Sequence, residues 1–403
     1  MSNLSTSNLP PLPLPPGVTE RQVDCLSTAG LSFHILEAGR DDTRQRPLLL
    51  LFHGFPELAF SWRKIMLPLA KAGYYVVAVD LRGYGRTTGW DDSSFEHVDL
   101  SQFSITNLVR DHVILVSALG YTKVRCVIGH DFGAVPSAMG TLMRPDIFTH
   151  CVIMSHPHKM PGGAPFNTAN QPSSSTNASE PSAGSSDIIA DLTALDPPRK
   201  HYKYDNSKPS AAHDWANPPQ GLHAFLRGYI HLKSANWSHN NPHPLKSWTA
   251  EELAKMPEYY IMPLESTMAS VVSKHMSTED AKATTSWLSD ADLDFYVQEW
   301  SRTGFQGGLN FYRVATNPEI SKDMLLFSGR KIEVPTAFIS GEKDWGNYQQ
   351  PGALEGMQRG ESVTDFRGFR VVEGAGHWPQ QEQPEKVVEE ILKFLDETGG
   401  LQK

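Results

Sequence analysis

The sequence predicts an α/β fold: a mostly parallel sheet, covered by helices on both faces, interrupted by a long helical insertion. Three observations carry this. Short apolar runs rich in β-formers recur at residues 31–37, 47–52, 74–79, 123–128 and 150–154. Helical patterns separate them, and buried runs alternating with helices call for a parallel sheet with both faces covered. The alternation stops after residue 154 and resumes only at 334–340 and 369–373.

Each stretch has its own reason. Residues 1–20 carry several prolines and few core formers, which predicts a flexible arm. Residues 21–155 hold the first five runs and form the first part of the core. Within them Ile105, Leu108, Val109, His112, Val113, Val116 and Leu119 fall on one face at the helical period. Residues 156–326 are expected to form a lid. Their first stretch, 161–187, is Ser-, Pro-, Ala-, Gly- and Asn-rich and reads as a mobile surface loop. The rest, 188–326, is aromatic-rich and helical, with no buried-strand run. Residues 327–403 complete the core, and 384–396 form an amphipathic closing helix.

Composition removes several function classes. The chain has 36 basic and 45 acidic residues, a net charge of −9, with no Lys/Arg run to track a phosphate backbone. Nucleic acid is not an expected partner. No apolar run has the length of a membrane span. The Ser-, Asn- and Pro-rich start does not read as a signal peptide. Three cysteines, Cys25, Cys126 and Cys151, lack C-x-x-C spacing and any disulfide framework, as suits a reducing compartment. A cytoplasmic enzyme is the expectation, and a homodimer stays open.

The chemistry concentrates in four loops. Arg125-Cys126-Val127-Ile128-Gly129-His130-Asp131-Phe132-Gly133 reads as a strand, a sharp turn and a helix start, with Asp131 in the nucleophile position of a G-x-nucleophile-x-G elbow. The glycines let strand and helix approach closely. A carboxylate is already ionised at neutral pH and can displace a leaving group from an sp³ carbon, forming an ester. Leu51-Phe52-His53-Gly54-Phe55-Pro56-Glu57 follows a buried strand and can present a backbone N–H to the elbow. The Phe55 and Phe132 amides are the expected oxyanion donors, and a cis Phe55–Pro56 bond would shape the turn. His53, Pro56 and Trp378 are candidates to line the substrate site, although His53 reads first as a structural hydrogen bonder.

His377 lies in the glycine-framed loop Gly374-Ala375-Gly376-His377-Trp378, where it can activate water. Asp344, in Gly341-Glu342-Lys343-Asp344-Trp345, is favoured over Glu342 to orient it. Asp80-Leu81-Arg82-Gly83-Tyr84-Gly85 lacks G-K-[ST] and reads as a structural loop.

Together these residues resemble the epoxide hydrolases of the α/β-hydrolase superfamily, over roughly residues 22–396. The likeness is strongest in His53-Gly54-Phe55-Pro56-Glu57 with Ser61-Trp62-Arg63, in Gly129-His130-Asp131-Phe132-Gly133, in Gly304-Phe305-Gln306-Gly307-Gly308-Leu309-Asn310-Phe311-Tyr312-Arg313, and in the Asp344 and His377 loops. The long lid is similar to that of fungal members. The resemblance implies the α/β-hydrolase fold, with eight strands and the lid inserted after strand six. It also implies two lid tyrosines that hydrogen-bond the epoxide oxygen. Tyr312 matches one by its motif. Tyr202, in His201-Tyr202-Lys203-Tyr204-Asp205, is the choice for the other, with Tyr204, Tyr229, Tyr259 and Tyr260 as alternatives. The substrates would be an apolar epoxide and water, with no metal or organic cofactor. A haloalkane or haloacid dehalogenase would share Asp131, Asp344 and His377. Tyr312 and the lack of an N–H on Phe132 count against it. A non-catalytic small-molecule receptor is the third reading.

Overall fold

A computed structural model describes residues 9–161 and 185–401. Its main sheet has eight strands: β1 (Thr19–Cys25), β2 (Leu31–Ala38), β3 (Leu48–Phe52), β4 (Tyr75–Val79), β5 (Cys126–His130), β6 (Cys151–Met154), β9 (Thr336–Gly341) and β10 (Phe366–Val372). Between β6 and β9 come β7 (Arg199–His201) and β8 (Ile261–Pro263), a separate antiparallel pair. The main order is β1-β2-β4-β3-β5-β6-β9-β10. Pairing is antiparallel for β1·β2 and β2·β4 and parallel across the rest.

The central strands explain their sequences. Leu48–Phe52, Tyr75–Val79 and Cys126–His130 are buried at every position, as strands covered on both faces must be. Helix Ile105–Ala118 begins at Ser104, whose side chain accepts from the Asn107 N–H. It buries Leu108, Val109, His112 and Val116 of the expected stripe, and Leu115 beside it. The closing helix runs Pro384–Glu397 and buries Val387, Ile391, Phe394 and Leu395.

Several expectations need correction. Residues 9–20 are not a free arm. Leu12 and Val18 are buried, the Pro10 carbonyl accepts from Arg86, and β1 starts at Thr19. Sparse burial is the reason: only Val23 and Cys25 of β1 are buried, so an edge strand carries little apolar signal. The insertion follows the sixth strand as expected, but it contains β7 and β8, three residues each. Most of the low-complexity stretch 161–187, like residues 1–8, lies outside the described residues; helix Ser185–Thr193 begins within its last residues. Among the described residues, no helix is long and apolar enough to cross a membrane.

The sheet brings the site together. The loops after β3, β5, β9 and β10 leave from strand ends on one side of the parallel sheet, where open α/β sheets place their sites. The Asp80 loop is structural, as expected. The Asp80 carboxylate accepts from the Ala59 and Arg86 amides and contacts His34.

Candidate active site

Asp131 sits where β5 turns into the 3₁₀ segment Asp131–Gly133 and then helix Ala134–Met143. Its φ is 51°, a strained left-handed conformation for a non-glycine residue. The turn closes only because its neighbours lack side chains. A Cβ on Gly129 would lie 2.2 Å from the Gly133 carbonyl oxygen, and one on Gly133 would lie 2.3 Å from the Phe52 carbonyl oxygen. The loop after β3 crosses Asp131 just as closely, since a Cβ on Gly54 would stand 2.4 Å from the Asp131 Cβ.

The two carboxylate oxygens of Asp131 are not equivalent. Oδ1 accepts the Phe55 backbone N–H at 3.0 Å. Oδ2 faces His377 Nε2 at 3.3 Å, without an aligned hydrogen bond. Burial opposes the charge on Asp131. His377, Lys233 and His130 outweigh it and hold the carboxyl far below its usual range.

His377 Nδ1 lies 3.0 Å from Asp344 Oδ1. Asp344 is itself fixed, Oδ1 accepting from the Gly346 N–H at 2.7 Å and Oδ2 from the Ser340 hydroxyl at 3.1 Å. Glu342, the competing acid, is exposed and reaches only the Gly374 amide. Burial, then the Lys233 charge, disfavours a protonated His377. Asp344 and Asp131 outweigh both and raise its proton affinity above the ordinary value.

The remaining predicted residues divide. Phe132 follows Asp131 directly, its ring 5.6 Å from that of Tyr312. The Phe55–Pro56 bond is cis, and the Pro56 carbonyl accepts from the Trp300 indole at 2.9 Å. Trp378 gives its indole N–H to the Ile230 carbonyl and packs 4.6 Å from the His377 ring. His53 holds the structural hydrogen bonds read first for it, rather than offering a nitrogen to a substrate. One ring nitrogen bonds the Gly54 carbonyl and the other accepts from the Leu81 amide, so neither is free.

Tyr312 stands on helix Gln306–Ala315, and Tyr202 opens helix Tyr202–Asp205 after β7. Their ring centroids are 5.7 Å apart, nearly perpendicular. Burial first, and the Asp131 charge as well, push both phenols up, which keeps them protonated as donors. The Tyr202 hydroxyl donates to Gln349 Oε1 at 3.4 Å, and the Gln349 amide reaches His156 Nδ1 at 2.8 Å. Of the alternatives, Tyr229 accepts from Lys233 and Tyr259 donates to Asn240.

Two features were not anticipated. His130, next to Asp131, contacts Glu57 Oε2 through Nδ1 at 2.7 Å and the His377 carbonyl through Nε2 at 2.6 Å. Glu57 also accepts from Gln380 and Gln381. A buried carboxylate–histidine pair thus backs His377. Its only sequence signal was the presence of both residues inside the two key loops. Second, the His377 loop is stitched to the insertion: the His377 amide donates to the Lys233 carbonyl at 2.9 Å. Glu382 accepts from the Gly376, Trp378 and Ala235 amides. Among the described residues no group of three or more His, Cys, Asp or Glu is placed to hold a metal ion.

The elbow, the acid and the histidine thus stand in the chain order and at the strand ends typical of one large enzyme family. The profile of the Alpha/beta hydrolase family matches residues 49–390. The chain belongs to that family. The hydrolase is 27% identical over 370 residues to an "Epoxide hydrolase" of Caballeronia sordidicola, covering 92% of each chain. It is 29% identical over 391 residues to "Epoxide hydrolase B" of Mycobacterium tuberculosis, covering 93% of this chain and 98% of that one. A solved epoxide hydrolase from an endophytic Streptomyces superposes with a TM-score of 0.73 at 28% identity, covering 95% of this chain and 96% of that one. These relatives bear out the resemblance read from the motifs.

Proposed function

We propose that this hydrolase adds water to an apolar epoxide through an ester on Asp131. The observation that carries the reading is the split of the Asp131 carboxylate. Oδ1 is held by the Phe55 amide, while Oδ2 is left toward His377. Oδ2 attacks an epoxide carbon. The C–O bond breaks, and the alkoxide oxygen takes its proton from the Tyr202–Tyr312 pair. Oδ1 becomes the ester carbonyl, already against the Phe55 N–H. Esterification removes the Asp131 charge, and with it one of the two carboxylates that keep His377 protonated.

His377, oriented by Asp344, then takes a proton from water as that water attacks the ester carbon. The oxyanion on Oδ1 is held by the Phe55 amide and, we propose, by the Phe132 amide. Collapse breaks the bond to the second diol oxygen, which takes the proton back from the His377 imidazolium. The proton left on the Asp131 carboxyl returns to the tyrosinate, so a vicinal diol is released and Asp131, His377 and the tyrosine pair are restored. The aromatic surroundings fit this substrate: the Phe55 ring meets Trp215, Phe305 and Tyr312. A dehalogenase is less well supported. Phe132 has no side-chain N–H, and the Trp300 indole near Phe55 is spent on Pro56.

The test is His377→Gln under saturating aromatic epoxide, such as styrene oxide. The peptide carrying Asp131 gains the mass of one epoxide and keeps it for many wild-type turnover times. A peptide of unchanged mass counts against His377 as the base.

A further inference from the structure

Lys233 ends helix Leu222–Lys233 and is buried, 3% exposed. A lysine usually runs its ammonium out to water. This one instead donates to the Tyr229 hydroxyl at 3.3 Å. It lies 4.8 Å from the Tyr260 ring centre, 5.2 Å from Tyr229, 5.7 Å from Trp378 and 5.9 Å from Tyr259. Four aromatic rings replace the ion-pair partner that a buried charge otherwise needs. Burial lowers its proton affinity, while Asp131, Asp344 and Glu57 draw it toward the charged form across the site. The same residue's carbonyl accepts the His377 amide, so the cation and the base are fixed to one another.

We infer that Lys233 is a positioning residue that keeps His377 neutral, and so able to act as a base, once Asp131 has been esterified. The inference rests on the base role given to His377 above. Every charged or titratable group around the ring enters the balance. Asp131 on the elbow and Asp344 after β9 favour the imidazolium. His130 on β5 and His156 after β6 stand near it. Glu57 lies behind His130, and Glu382 holds the amides on either side of His377. In the resting site two carboxylates oppose one ammonium. In the ester Asp344 is the one carboxylate still paired with the ring itself, and the cation then weighs more in the protonation of the base. Lys233 therefore acts on ester hydrolysis more than on alkylation.

The experiment measures both half-reactions across pH for the full-length enzyme, by rapid quench and mass analysis of the Asp131 peptide with styrene oxide. In Lys233→Met the acid limb of ester hydrolysis moves up by about one pH unit. Below that limb hydrolysis slows about tenfold, and alkylation changes by less than about threefold. Lys233→Arg keeps the charge over the rings and restores the limb. An unmoved limb in folded Lys233→Met, or equal shifts in Met and Arg variants, overturns the inference. Should Lys233→Met not fold, Tyr260→Leu thins the cage and must move the same limb in the same direction; no movement there overturns it as well. His377→Gln runs alongside. If it traps the ester while the limb is unmoved, only the Lys233 role falls. If it traps nothing, the base assignment falls and takes the Lys233 role with it.

Discussion

The two faces of the site are built differently. The nucleophile face is made of backbone. Asp131 is held at φ 51°, and Gly54, Gly129 and Gly133 leave no room for a single carbon. Its key contact is an amide N–H from Phe55. The acid face is made of side chains from the insertion. Tyr202 depends on β7, a three-residue strand, on its own amide bonded to the Tyr260 carbonyl at 2.8 Å, and on a 3.4 Å contact with Gln349. Small changes on the first face should therefore act nearly all-or-none, and on the second by degrees.

The harshest way to probe the difference is Gly54→Ala. One methyl placed against the Asp131 side chain displaces the nucleophile. The alkylation rate should fall by about 10²-fold or more, while circular dichroism keeps the wild-type spectrum. A rate within a few-fold of wild type would show that the backbone face yields after all.

The acid face should respond by steps. Tyr312→Phe slows alkylation by about 10²-fold, the scale of a lost general acid. Tyr202→Phe has a smaller effect, because the Tyr202 hydroxyl is shared with Gln349 while Tyr312 still supplies a donor. Stopped-flow alkylation rates check the order, and an unchanged rate in Tyr312→Phe would remove it from the acid role.

The faintest effect lies behind the nucleophile face. Burial disfavours a charged His34, but Asp80 and Glu20 outweigh it and raise its pKa to about 9. The folded value exceeds the ordinary 6.5, so this stabilisation is complete below about pH 6.5 and is lost as pH rises through about 9. Denaturant titrations should show stability falling by about 3 kcal/mol across that window. His34→Gln should flatten that part of the profile.

The same division governs what could be read in the sequence. The backbone face was legible because its requirements are written as glycines at set positions around Asp131, and the loops follow buried apolar strands. The sheet was legible for that reason too, apart from β1, where Glu20, Arg21 and Asp24 hide a strand paired on one side only. Side-chain partnerships across the fold were not. Nothing local distinguishes Glu57 from a surface acid, and only the fold puts it on His130. For His53 the loop suggests a structural hydrogen bonder, but only the fold names its partners, the Gly54 carbonyl and the Leu81 amide. Lys233 carries no motif, and its significance comes from rings contributed by Tyr229, Tyr259, Tyr260 and Trp378.

The central claim is that a carboxylate oxygen of Asp131, not water, makes the first bond to the substrate. A single turnover of styrene oxide in ¹⁸O-labelled water addresses it directly, with enzyme in excess and both the diol and the Asp131 peptide analysed by mass. The account predicts an unlabelled diol and label on the Asp131 carboxylate. Label in the diol with none on Asp131 would contradict it.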